Sequence, residues 1–421
     1  MICFKFKHNK DFVKNATTLT AGTTIAQVVN LILYPALGRI YSVDEFAGLS
    51  ILMSITSILS VIATGKYEFS IITTSSKIEA LNVSILSIGL SVILMSLLSL
   101  IAILCPTIFN FIFRISDASY YILLASICTV AIVVFNVFNE WCVYNKYYKS
   151  LSYNKINNSL AVSLSKLFLG LTPYSLNGLV YGDLLGRWLS ALGCNWRFLK
   201  RDKTLLKCVS RTEIIRLIKR YINFPKYVMP AQLLNVLATS IPVFFIGRHY
   251  TSIELGYYSM AMNVLVLPIS LISVSLRDVF RKKAAEIFSE TGDCRKLFIG
   301  IFKPLCAIGF LILITTYYFV PDAFALVLGE KWRMAGKYAQ ILMFFIYFDF
   351  VAMVFSAILM VVEKTRELLK WQIVHLTLTV ISLYITLFWH GTMQSLLISF
   401  TAGRTISYIY LLCLSYKNSK I

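Results

Sequence analysis

Long apolar runs alternate with short polar stretches along the whole chain. A helix rising 1.5 Å per residue needs about 20 apolar residues to cross a hydrocarbon core of about 30 Å. Twelve segments meet that length: 17–37, 45–64, 80–104, 118–142, 154–172, 176–197, 227–247, 254–276, 298–320, 334–361, 367–388 and 393–415. Several hold Gly, Pro, Ser or Thr inside the run, as membrane helices tolerate. No stretch keeps the two-residue alternation of a β-barrel strand. The pattern predicts an all-α polytopic membrane protein of about twelve transmembrane helices. The polar, basic start at Met1–Asn15 has no small-residue cleavage site after the first run, so that run is expected to be a retained helix.

The polar stretches orient the helices. Of the 40 Lys and Arg, only Arg39, Arg114, Arg248, Lys331 and Arg333 fall in one alternate set of loops, while most of the others fall in the opposite set. Basic loops stay on the cytoplasmic side, so both termini are expected there. The longest hydrophilic stretch, 198–226, has a helical pattern at Thr212–Tyr221 and stands at the midpoint. It predicts an N-terminal six-helix bundle at 1–197, a cytoplasmic basic linker at 198–226 and a C-terminal six-helix bundle at 227–421. A short duplication supports the division. Gly38, Arg39, Tyr41, Ser42 and Glu45 recur with the same spacing as Gly247, Arg248, Tyr250, Thr251 and Glu254. Copies of equal orientation imply parallel repeats about an axis normal to the membrane.

Composition agrees. The 421 residues are 58% hydrophobic and 14% charged, where soluble domains run near 45–50% and about 25%. The formal net charge of +20 would suggest nucleic acid in a soluble protein. Here it lies between apolar runs and reads as topology, with no nucleic-acid partner expected. Nine cysteines are scattered without a C-x-x-C pair, so neither a zinc site nor a disulfide framework is indicated.

Charges near mid-membrane depth are costly and mark functional candidates. Counting from the helix ends places Lys166, Asp183, Arg187, Asp349 and Arg404 there. Asp183 and Arg187, at i and i+4, share a helix face and can pair. Lys166 and Arg404 have no local partner and must face the interior, another helix or water. With candidates in both halves, a central cavity with three bases against two acids is the expected substrate-binding region. A second tier, Lys66, Glu68, Glu140, Lys303 and His375, lies nearer the helix ends, where snorkelling is cheap. Arg39 and Arg248 mark the outer ends of the first and seventh helices, as interface anchors or as lining of an outer mouth. Substrate access and gating therefore draw on Arg39, Lys66, Glu68, Glu140, Arg248 and Lys303. Pro230, Pro242 and Pro268 predict kinks in the seventh and eighth helices.

A positive chamber in an apolar bundle suits an anionic amphiphile, because Arg and Lys pair well with phosphate oxygens. A cation antiporter would rather use carboxylates, and Asp183 and Asp349 keep that alternative open. No phosphate-binding G-x-x-x-x-G-K-[ST] loop, G-x-S-x-G, H-E-x-x-H or kinase signature occurs. No enzyme activity, cofactor or metal is expected, though a membrane enzyme of glycan assembly is a further alternative.

The run Thr18–Gln27, then Pro35 and the stretch Gly38–Gly48, resembles the opening of Wzx-type O-antigen flippases. These belong to the multidrug/oligosaccharidyl-lipid/polysaccharide exporter superfamily. Ala63–Glu68 is similar to that family's A-T-G-[RK]-Y-E at the end of helix 2. So are Asn139, Glu140 and Trp141 followed by Asn145–Lys149, then Phe224, Pro225 and Tyr227, then Leu328–Trp332 with Ala335 and Gly336. Lys66 stands where the family often has arginine, which keeps the charge and loses the bidentate geometry.

The resemblance implies two six-helix bundles in a V around a central cavity, with alternating access. It implies carriage of undecaprenyl-diphosphate-linked oligosaccharide from the cytoplasmic to the periplasmic leaflet of a bacterial inner membrane. Membrane lipids, a glycan polymerase and chain-length proteins are the partners implied, and roles for Lys166, Arg187 and Arg404 follow as hypotheses. A related exporter of capsule or teichoic precursors, or a drug–cation antiporter, remains as an alternative.

Overall fold

The computed structural model describes residues 2–113, 117–172, 177–362, 364–388 and 391–420. Arg114, one of the loop bases above, lies outside the described residues. Within them the chain is helical, in the order α1 (Ile2–Ile40), α2 (Val43–Ile62), α3 (Lys77–Leu104), α4 (Pro106–Phe113), α5 (Ala118–Tyr144), α6 (Tyr148–Gly170), α7 (Gly178–Asp202), α8 (Arg211–Arg220) and α9 (Met229–His249). Then follow α10 (Ser252–Thr291), α11 (Arg295–Tyr317), α12 (Val320–Leu328), α13 (Arg333–Phe355), α14 (Ala357–Val361), α15 (Thr365–Phe388) and α16 (Met393–Lys417). All helices except α4, α8, α12 and α14 have 20 residues or more, and each of these twelve overlaps one of the twelve apolar segments, with α1 starting earlier and α10 running further than its segment. At 40 residues, α10 is about 60 Å long, twice the hydrocarbon thickness.

Among the described residues ten helices are long and apolar enough to cross a membrane, and α6 and α7 are not among them. Their polarity has a packing cause. Ser159 donates to Ala26 O at 2.6 Å and to Asn30 Oδ1 at 2.7 Å, and Ser163 donates to Asn30 Oδ1 at 3.0 Å. These bonds tie α6 to α1. Inside a helix bundle, small and hydroxylated side chains join helices that lipid-facing leucines would not.

Along α7, Gly178, Gly182 and Gly186 form a G-x-x-x-G-x-x-x-G stripe. A Cβ on Gly182 would stand 2.6 Å from Lys166 Cα, and one on Gly186 would stand 2.3 Å from Val162 Cα. A Cβ on Gly178 would meet Leu169 O at 3.5 Å. As the α7 number rises the α6 number falls, so the two helices run antiparallel at near backbone contact.

The chain divides into two compact units, Met1–Tyr41 with Gly48–Val236, and Ser42–Ala47 with Leu237–Ile421. In the first, Tyr67, Trp141, Phe198 and Leu217 share a core. In the second, Phe280, Phe298 and Phe355 do so, with Phe355 4.3 Å from Phe298 and 5.0 Å from Phe280 between ring centroids. Ser42–Ala47 belongs with the second unit through Asp44 Oδ1, which accepts from Ser252 Oγ at 2.5 Å, and Phe46, 5.1 Å from Trp332.

The sequence echo has one stereochemistry at both copies. Ser42 N and Oγ each donate to Glu45 Oε2 at 2.9 Å, and Glu45 N donates back to Ser42 Oγ at 3.3 Å. Thr251 and Glu254 repeat the reciprocal bonds at 3.0, 2.9 and 3.2 Å. These capping boxes satisfy orphan amides at the starts of α2 and α10. The tyrosines match too: Tyr41 donates its hydroxyl to Lys166 O at 2.5 Å, and Tyr250 to Gly391 O at 3.0 Å. Thr251→Ala is expected to cost about 1 kcal/mol, seen as a lower thermal midpoint in detergent. An unchanged midpoint would show that the box carries no stability.

Candidate functional site

Lys166, Asp183 and Arg187 meet in the first unit. Asp183 is buried, with Lys166 Nζ 2.7 Å from Oδ1 and Arg187 Nε 2.5 Å from Oδ2. The pairing of Asp183 with Arg187 follows the helix period. Lys166, which had no partner in its own segment, is delivered by the glycine stripe, since Gly182 sits on its Cα. Tyr41 then holds its carbonyl. Arg187 Nη2 points at Met53 Sδ, 3.2 Å away, and Cys128 Sγ lies 4.0 Å from Asp183 Oδ2. Two bases on one acid leave one positive charge in apolar surroundings. Such a charge is retained only where it is paired or used.

Arg404 anchors the second cluster, entirely within the second unit. It is buried, donates Nη2 to Ala238 O at 2.7 Å, and sits 5.2 Å from the Phe400 ring and 5.9 Å from Phe345. Its Nη1 meets His375 Nε2. A guanidinium only donates, so that nitrogen accepts and Nδ1 carries the proton, placed 2.8 Å from Ser407 Oγ. His375 was expected to snorkel; it is buried between Trp371 and Tyr408 instead, 5.1 and 5.2 Å away. No ion pair forms at Arg404 among the described residues, although Asp349 is close and interacts with the Tyr408 hydroxyl. Asp349 also lines a cavity of about 120 Å³ with Ser270, Ser273 and Arg277.

The two clusters share a signature that hydropathy does not reveal. Arg187 follows Gly186, and Arg404 follows Gly403. Gly186 is pressed on α6, and a Cβ on Gly403 would stand 2.9 Å from Ser382 Cβ on α15. In each unit the last long helix thus carries a glycine packed on the preceding long helix, then an arginine, half-buried at Arg187 and buried at Arg404.

The second tier divides. Lys66 and Glu68 are buried, with Nζ 3.2 Å from Oε1, rather than snorkelling. Lys66 has φ 61° directly after Gly65 at φ 54°, so the chain reverses tightly here and turns the pair inward. Tyr67 donates its hydroxyl to Ile218 O at 3.2 Å, tying this turn to α8. Glu140 is half-buried, within electrostatic reach of Glu68, Lys66 and Lys155. Arg39, Arg248 and Lys303 are exposed at separate places on α1, α9 and α11 and join neither buried cluster.

Both units are helical with buried basic side chains, and among the described residues no group of His, Cys, Asp and Glu could hold a metal ion. The fold is that of the multidrug/oligosaccharidyl-lipid/polysaccharide exporter superfamily. It matches a lipid II flippase MurJ in an inward closed conformation with a TM-score of 0.75 at 12% identity, over 94% of this chain and 87% of that one. An inward-facing multidrug resistance MATE family transporter matches with 0.68 at 17%, over 94% of each chain.

By sequence the chain belongs to the polysaccharide biosynthesis protein family, whose model matches residues 36–337. It is 26% identical over 201 residues to an uncharacterized membrane protein in the cps region of Klebsiella pneumoniae, over 47% of this chain and 41% of that one. It is 28% identical over 133 residues to the teichuronic acid biosynthesis protein TuaB of Bacillus subtilis (strain 168), over 30% and 26%. The chain therefore matches less than half the length of either relative.

Proposed function

We propose that the protein is a flippase for undecaprenyl-diphosphate-linked oligosaccharide, the repeat unit of O-antigen or a related surface polysaccharide. It would carry the unit from the cytoplasmic to the periplasmic leaflet of a bacterial inner membrane by alternating access. Two six-helix bundles separated by the basic stretch 198–226, with both termini cytoplasmic, are part of this reading. The observation that carries it is the positive charge left over in the first unit, where Lys166 and Arg187 share Asp183. A surplus base in an apolar bundle favours an anionic group on an amphiphile. Arg404, without an ion-paired carboxylate among the described residues, supplies the same preference in the second unit. Lys66, Glu68 and Glu140 serve gating, and Arg39, Arg248 and Lys303 serve access. A glycan polymerase and chain-length proteins are the protein partners.

A capsule or teichuronic-type precursor is the second cargo reading, supported by the relative named for teichuronic acid biosynthesis. The chemistry asked of the site is the same, a lipid-linked phosphate.

The test is surface glycan in a strain lacking the native protein. Arg187→Gln and Arg404→Gln are each expected to insert normally, to lose most surface glycan and to leave lipid-linked units of unchanged mass in the membrane. Full surface glycan in both variants sinks the proposal. A changed glycan mass on incubation with purified protein points to an enzyme, and raised resistance to lipophilic cations points to a drug antiporter.

A further inference from the structure

The basic stretch after α7 contains a helix that is clamped on one side and bare on the other. On the inner side of α8, Ile214, Leu217 and Ile218, followed by Tyr221, pack into the core of the first unit. Leu217 is fully buried. Two of its arginines are consumed in holding it there: Arg216 and Arg220 lie 2.8 and 3.0 Å from Glu79 Oε1 at the start of α3. The helix is therefore fixed, and its outer face points one way.

That outer face has a regular composition. Arg211, Ile215 and Lys219 lie along α8 at steps of four residues, Ile222 follows in the turn after it and Lys226 in the short π-helical segment Phe224–Val228, and all are exposed. Ile215 and Ile222 keep 47% and 49% of their surface exposed. Arg211, Lys219 and Lys226 make no ion pair among the described residues. Lys226 Nζ lies 5.2 Å over the exposed Tyr227 ring. A stripe alternating bases with isoleucines gains nothing in water. At a bilayer surface both kinds of side chain gain, the isoleucines entering the acyl boundary while the bases meet lipid phosphates. The next segment, Phe224–His249, is apolar enough to span the membrane, so the stripe runs up to a membrane helix. A soluble protein partner fits less well, because protein interfaces deplete lysine at their centres, and here Lys219 stands between the two isoleucines.

We propose that the outer face of α8, extended through Ile222 and Lys226, is a docking surface for anionic phospholipid headgroups of the surrounding bilayer. This does not depend on the cargo. Each base near an anionic surface strengthens adhesion about fivefold, so the three together make the effect measurable.

The experiment uses the full chain in nanodiscs of phosphatidylglycerol or phosphatidylcholine and follows hydrogen–deuterium exchange of residues 211–226. Wild type is expected to exchange about tenfold more slowly in phosphatidylglycerol, with the difference lost at high salt. The triple variant Arg211→Gln, Lys219→Gln, Lys226→Gln is expected to exchange alike in both lipids. The double variant Arg216→Gln, Arg220→Gln loosens the clamp and is expected to speed exchange in both lipids by a similar factor, keeping the lipid difference. If the triple variant does not insert, the double variant Arg211→Gln, Lys219→Gln replaces it, with most of the lipid dependence expected to be lost. Equal exchange of wild type in the two lipids overturns the proposal, whether the face is bare or claimed by a protein. So does lipid dependence that survives undiminished in the triple variant or in the double variant that replaces it.

Discussion

Asp183→Asn is expected to destabilise the protein by about 3–5 kcal/mol, the usual cost of stripping one partner from a buried charge group. The arithmetic is specific to this cluster. With the carboxylate gone, Lys166 and Arg187, each within 2.7 Å of it, become two like charges in an apolar bundle with nothing between them. Lys166→Met is expected to behave in the opposite way. It leaves Asp183 and Arg187 as a neutral pair, so the thermal midpoint moves little, but the surplus positive charge disappears and surface glycan falls with it. Thermal midpoints in detergent alongside surface glycan in cells separate the outcomes. If Lys166→Met is the less stable of the two, the cluster is held by packing and not by charge balance. If it is stable and fully active, the surplus charge has no part in transport.

A single methyl group at Gly182 or Gly186 is expected to be as damaging. The added Cβ would press on the Cα of Lys166 or Val162 at 2.6 or 2.3 Å, and backbone cannot swing aside as a side-chain tip can. The helices α6 and α7 must part, which costs at least the 1–3 kcal/mol of an overpacked core and draws Lys166 away from Asp183. The controls are Gly89→Ala and Gly300→Ala, also in long helices, where a Cβ meets nothing within 4 Å. There alanine is expected to stabilise by about 0.5–1 kcal/mol, because it lowers the freedom of the unfolded chain. Opposite signs at the two pairs of sites, read as thermal midpoints, support backbone contact between α6 and α7. Equal signs rule it out.

The long helices were legible because a bilayer sets a minimum apolar length for every span, which ten of them meet among the described residues. The Gly-Arg-x-Tyr echo was legible for a related reason: Ser42 with Glu45, and Thr251 with Glu254, are local devices whose spacing is their mechanism. Asp183 with Arg187 belongs to that class as well, one helical turn apart. What stayed hidden depends on which helix lies beside which. Lys166 was visible as a buried base, but its carboxylate is on the following helix and the register comes from three glycines. His375 looked like a snorkelling side chain until α16 placed Arg404 against it. Lys66 and Glu68 looked like snorkelling side chains because the apolar run ends at Thr64, whereas two left-handed residues in succession, Gly65 and Lys66, turn the pair inward. The signal that could have found the arginine pair was Gly186-Arg187 against Gly403-Arg404, a match two residues long and therefore silent without the packing that explains it.

Ser42–Ala47 also sets a timetable. On the ribosome this turn emerges long before Ser252 and Trp332, the residues that Asp44 and Phe46 touch. At roughly 5–20 residues per second, it waits on the order of ten seconds to a minute for them. Over that interval the reciprocal bonds of Ser42 and Glu45 favour its shape by about 1 kcal/mol without any contact from the second unit. A chain released early, after its first helices are built, would therefore present a finished but unoccupied hook, and assembly of the second unit closes on a piece made at the very start.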